Sequence, residues 1–156
     1  DWGVFNAISN GGNHPDVWRT MTKAEWEYLL EGRDNADKLS GQGTVCEVTG
    51  LILLPDTWTL PQGCSFSDGF ASGFATNTYD SITWQKMEDA GAVFLPAGGQ
   101  RHGQEITEVG TYGGYWTATH AADAYAYVVV FEAGCAHVFE EGWRTFAHNV
   151  RLVRTY

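Results

Sequence analysis

The residues best equipped for chemistry gather late in the chain, in YVVVFEAGCAHVFEEGWRTFAHN, Tyr127 to Asn149. Cys135 and His137 stand two apart, which on a strand puts both side chains on one side. Both residue types bind zinc, and His120 or His148 can join them. Closed zinc sites use tighter ligand pairs, so the spacing points away from a metal. Thiol chemistry has three candidates, Cys46, Cys64 and Cys135. An odd count is not a disulfide framework. Cys46 and Cys64 can pair if the chain is exported, but free thiols are the simpler reading. There is no Gly-x-Ser-x-Gly elbow, P-loop or HExxH. Carboxylates are plentiful, yet no pair is set by spacing into an acid/base dyad. His102, in GGQRHGQE, reads as a polar turn residue. No catalytic residue, metal or cofactor is therefore expected.

What remains in that segment is a mixture without a chemical theme: Val128, Val130, Glu132, Cys135, His137, Phe139, Trp143 and Thr145. The whole chain limits what such a mixture can be. Its 156 residues suit one domain, residues 1–156, with a sizeable core. A net charge of −10 lacks the basic patch that nucleic acid requires and disfavours an anionic membrane surface. No apolar run is long enough to cross a bilayer, so no membrane insertion is expected. The sequence starts at Asp1 without an initiator Met, so the missing signal peptide says little about location.

The elements that must position these residues are legible in part. TKAEWEYLLEG, Thr22 to Gly32, predicts a helix. Thr22 caps it, Glu25 completes a capping box, Gly32 ends it, and Trp26, Leu29 and Leu30 share a face. Asp80 is the cap of a second helix over about Ser81 to Ala90, with Ile82, Trp84, Met87 and Ala90 as candidate contacts. GLILLPDTW and AVFLPAGG predict short buried strands stopped by Pro55 and Pro96. Residues 59–79 read as loop, and EEGWRTFAH as irregular. YGGYWTAT, AYAYVVVFEAG and CAHVF predict strands, the last two joined as a hairpin at Gly134. A closing strand in NVRLVRTY should turn Val150 and Leu152 inward. Trp18, Trp26, Trp58, Trp84 and Trp116 read as core or scaffold, whereas Trp143, between Gly142 and Arg144, should be partly exposed. Early helices and a late sheet give an α+β class, two helices on an antiparallel sheet with long loops.

Trp18 to Tyr28, WRTMTKAEWEY, resembles the corresponding helix of the formylglycine-generating-enzyme-like superfamily. DWGVFNAISNGG, GLILLPDTWTLP, AGAVFLPAGGQRHG, GTYGGYWTAT and VRLVR are similar to the bacterial "Fibrobacter succinogenes major paralogous" domain. That resemblance implies a C-type-lectin-like fold. The same fold family includes the variable proteins of diversity-generating retroelements, whose C-terminal ligand surface is deliberately randomised. Their frame resembles Tyr115-Trp116-Thr117-Ala118-Thr119 and Arg144 to Arg151 here, with Ala147 where Gly is usual.

The resemblance implies a variable ligand-binding region over about 111–156. Val129, Phe131, Val150 and Leu152 would hold the core. His120, Asp123, Val128, Val130, Glu132, Cys135, His137, Phe139, Trp143, Thr145 and Phe146 would meet a ligand. Without the resemblance, three consecutive valines at 128–130 favour a strand buried on both sides. The expected partner is a protein or cell-surface ligand of unknown identity, met at a bacterial surface or on a phage particle. Calcium-lectin motifs (Glu-Pro-Asn or Gln-Pro-Asp beside Trp-Asn-Asp) are absent. An oxidase of the formylglycine-generating type is the alternative, but that chemistry uses two C-terminal cysteines and only Cys135 lies in that region. A non-diversified adhesin module is a further possibility.

Overall fold

The computed structural model describes residues 17–154, apart from the side chains of residues 139–141. The DWGVFNAISNGG segment and the last two residues of the proposed variable region lie outside the described residues. The class is α+β: two helices and mostly antiparallel sheets. Among the described residues no helix is long and apolar enough to cross a membrane, which says nothing about membrane-crossing strands.

The two ends of the described chain are stitched together. Strand β1 (Trp18–Thr20) pairs antiparallel with β12 (Leu152–Arg154). Helix α1 (Lys23–Glu27) follows, and its capping box forms as the sequence predicts. The Thr22 side chain accepts from the Glu25 N–H while Glu25 accepts from the Thr22 N–H at 2.8 Å. The Arg19 guanidinium also grips Glu25 and holds its carboxyl down at about 2. The helix closes in a π turn, Tyr28–Gly32. Beyond it the Arg33 guanidinium is buried, donating to the carbonyls of Leu29, Leu39 and Leu54 and to Asp56.

A four-stranded sheet in the order β4-β2-β3-β5 forms the base. Its strands are β2 (Ser40–Val45), β3 (Val48–Leu53), β4 (Asn77–Tyr79) and β5 (Val93–Pro96). Strand β3 is buried on both faces, which explains its unbroken LIL run. Leu51 and Leu53 face α1, joining Trp26, Leu30, Leu95, Val129 and Phe131. Ile52 faces helix α2 (Ser81–Asp89), joining Tyr79, Trp84 and Met87. Asp80 caps α2 as expected, accepting from the Thr83 N–H at 2.7 Å.

Several expectations need correction. Ile82 is 71% exposed, because the buried stripe of α2 runs through Trp84 and Met87, and Ile82 falls on the opposite side. Val150 is exposed rather than inward, because it precedes β12 and lies outside its pairing with β1. Residues 59–79 are not all loop: they end in β4, which pairs parallel to β2. Strand β2, SGQGTV, escaped the sequence reading because it carries little apolar signal. It packs by close approach instead, since a Cβ at Gly43 would stand 2.6 Å from the Asn77 carbonyl oxygen.

Two smaller sheets complete the structure. Strand β6 (Gln100–His102) lies between β7 (Glu105–Thr107) and β11 (Phe146–Ala147). Strand β9 (Tyr125–Glu132) lies between β8 (Tyr112–Ala122) and β10 (Cys135–Trp143), all antiparallel. EEGWRTFAH is thus ordered strand at both ends, not irregular. Ala147 sits in extended β11, with Arg101 as its strand partner, so alanine meets no conformational obstacle there.

Candidate ligand-binding face

The β8–β9–β10 sheet has one face on the core. Tyr115, Val129 and Val138 stand in register across it, as do Gly113, Phe131 and Ala136. Val129 and Phe131 are fully buried and Tyr115 nearly so. Gly113 is required because the Phe131 ring occupies the space its Cβ would take. The Tyr115 hydroxyl donates to the Pro96 carbonyl at 2.9 Å, and burial pushes its pKa up to about 12.

The opposite face carries most of the residues that the sequence reading singled out, and the structure sorts them unequally. Val128 is a correction. It points away from Val129 yet is only 2% exposed, so it cannot contact a ligand as the chain stands. Trp116 is its cross-strand neighbour on β8, and Gly142 lies close on β10. A Cβ on Gly142 would come within 2.8 Å of Trp116 and 2.9 Å of Val128. A register shift between Phe139 and Gly142 brings the glycine into that position. Val130 and His137 are directly paired and half-buried, so each offers part of its surface. Phe139 pairs with Val128 in register; its side chain lies outside the described set.

The remaining candidates divide between the two ends of β9, roughly 24 Å apart at a strand's rise per residue. At one end Glu132 is exposed and Cys135 half-exposed, with the Cys135 sulfur 3.9 Å from a Glu132 carboxylate oxygen. At the other end His120, Asp123 and Thr145 are exposed and Trp143 is 50% exposed. Trp143 packs against Tyr125 with ring centroids 4.5 Å apart and the planes tilted by 50°. The Arg144 backbone N–H donates to the Ala124 carbonyl and its side chain to the Tyr125 carbonyl, which ties β10 to the β8–β9 turn.

Between the ends runs an aromatic seam that the sequence reading did not find. His102 stacks on Phe146 at 4.7 Å, and Phe146 leads to His148. His148 meets Trp116 edge-on at 4.7 Å and lies near Tyr112. A Cβ at Gly114 would collide with the His148 ring, so this glycine makes the nest for it. His148 Nδ1 is buried and finds no hydrogen-bond partner among the described residues. Burial lowers its pKa. Burial, helped by Glu108 and Glu132, raises the Tyr112 phenol to about 12. His102 is therefore a strand residue in an aromatic stack, not a lone turn residue. The only sequence signal for the seam was the aromatic and histidine content of the two segments, which strand order alone brings together.

Cys46, Cys64 and Cys135 are all free thiols. Cys46 lies in the two-residue turn of the β2–β3 hairpin, where Cys46 and Glu47 both take positive φ (48° and 70°). Among the described residues no group of three or more His, Cys, Asp or Glu gathers as a metal site would require. Comparison with known proteins finds no matching family model, no matching curated protein and no matching solved structure.

Proposed function

We propose that the chain is a non-enzymatic ligand-binding domain with a C-type-lectin-like fold. Its C-terminal region, about 111–156, would display a diversified surface of the kind carried by retroelement variable proteins. The ligand would be a protein or a cell-surface group, met outside a bacterium or from a phage particle. One observation carries this reading: the inner side of β9 is sealed, while Trp143, His120, Asp123, Thr145 and Glu132 stand exposed beyond the ends of the buried stretch. Exposed Trp beside Tyr offers large contact area with few rotors to freeze, as binding surfaces favour. The face that remains includes Val130, His137 and half-buried Phe146, but not Val128.

The test is at the encoding locus. A near-identical template repeat, differing from the region at adenines and lying beside a reverse-transcriptase gene, is the expected finding. Absence of both removes diversification and leaves a fixed binding or adhesin module. An oxidase of the formylglycine-generating type predicts turnover of a Cys-containing peptide that Cys135→Ser abolishes. Our reading expects no turnover from either protein.

A further inference from the structure

We infer that Gln42 is the positioning residue of the β9–β10 hairpin, and that it holds the hairpin's tip through main-chain atoms alone. Gln42 lies in β2 and is fully buried. A buried carboxamide needs partners for its oxygen and its N–H groups. Gln42 finds them far along the chain. Its Nε2 donates to the Glu132 carbonyl at 2.6 Å and to the Cys135 carbonyl at 3.0 Å. Its Oε1 accepts from the Gly134 N–H at 3.2 Å. Two carbonyls and one N–H fix which end of the amide is which, because a flipped group would set its oxygen against the carbonyls.

The clamp is itself held. Asn77, buried in β4, donates from Nδ2 to the Gln42 carbonyl at 2.8 Å. The Asn77 Oδ1 accepts from the Ser67 N–H at 2.8 Å, and Nδ2 also donates to the Ser67 carbonyl at 2.9 Å. A polar chain thus runs from the 59–79 segment through β4 and β2 to the hairpin tip. Networks of this kind are rigid when every member is satisfied and costly when one is removed.

The physical consequence concerns tolerance. A clamp whose three hydrogen bonds all go to main-chain atoms makes no demand through those bonds on the side chains of the tip. Glu132 and Ala133 are exposed and Cys135 is half-exposed. Their identities can therefore change while the turn keeps its shape, supported by Gly134 at φ 95°. That the tip faces a ligand rests on the proposed function; the clamp does not.

The experiment uses the whole chain. In the unaltered protein, the Gly134 amide should exchange with solvent as slowly as the amides of β9, although it sits in an exposed turn. Exchange at the rate of a solvated turn overturns the proposal and needs no variant. Gln42→Met keeps length and shape but removes all three bonds. Cys135 should then react with a thiol reagent about tenfold faster or more, while Cys46 and Cys64 keep their rates. Equal acceleration at all three thiols means general loosening and overturns the positioning role, as does no change at Cys135. Glu132→Lys with Cys135→Ser should leave Gly134 exchange unaltered; faster exchange shows that the tip side chains matter and sinks the inference. None of these rates depends on a ligand, so a locus without a template repeat would fail the functional reading and leave them untouched.

Discussion

Two faces of one sheet reach order by different means. On the inner face, Phe131 fills the room vacated at Gly113 and Tyr115 stacks near it, with ring centroids 6.0 Å apart. Shape is set by side chains meeting side chains. At the strand ends, and where β8 meets Asn149, the chain is held mostly through hydrogen bonds to its backbone. Asn149 donates to the Gly114 carbonyl, Trp116 N–H donates to the Asn149 carbonyl, and Arg144 grips Tyr125 and Ala124. A surface held by main-chain bonds can alter its chemistry with little effect on its shape. A packed face cannot, because interiors are close-packed and even one methylene is felt. Val128 and the His148–Trp116 contact mark where the contrast breaks: they belong to the outer face but are packed by side chains, as the inner one is.

The contrast is broken most directly at Phe131. Phe131→Ala should cost about 3–5 kcal/mol in urea unfolding, because the buried ring leaves a cavity that Gly113 cannot fill. A loss of under 1 kcal/mol would mean the inner face does not hold the fold. Next come Val128→Ala and Val129→Ala, each expected to cost about 1.5–3 kcal/mol. Strict alternation of roles predicts a loss only at Val129, so comparing the two midpoints decides between alternation and two-sided burial. Thr22→Ala, which removes the cap of α1, should cost about 1 kcal/mol and leave both faces otherwise intact.

A pH titration sharpens the comparison further. His148 sits against Trp116, Tyr112, Gly114 and Phe146, and burial depresses its pKa below 6.5. The unfolded chain then binds its proton first as pH falls. The stabilisation of the neutral ring is complete above about 6.5 and is lost as pH drops through the lower folded value. Unfolding midpoints should fall over that window, and His148→Gln should flatten that part of the curve. Glu25 acts in a separate window: its stabilising effect is full above 4.5 and is lost as pH falls toward about 2. The smallest effects belong to the exposed ends. Asp123→Ala, Glu132→Ala and Thr145→Ala should each stay within about 0.5 kcal/mol of the parent by thermal unfolding.

Local signals carried much of the fold into the sequence. Thr22 with Glu25, and Asp80 ahead of Ser81, announce helix starts, because a cap is made within one turn of the chain. Leu51 to Leu54 announce burial through an unbroken apolar run. Strand β2 stayed hidden because glycine and serine advertise neither period nor apolarity, and its close packing depends on Asn77 and Ile52 arriving from elsewhere. The candidate face was legible only as a set of positions. Trp143 is exposed as expected, although it ends strand β10 opposite Tyr125 rather than lying in a loop. Val128 is buried because Trp116 and Gly142 come together over it, and the register shift that brings them there has no sequence mark.

By itself, then, the sequence determined what acts over a few residues: caps, the alternation along β9, and the acidic charge. Tertiary structure alone decided which strand faces were covered and which side chains met. It placed Gln42 under a turn ninety residues away, set His148 in the nest at Gly114, and separated Glu132 from Trp143 by the length of a strand. The reason is that a side chain's type fixes what it can bond to, whereas burial and partnership depend on strand order and register, which are settled by contacts between segments far apart in the chain.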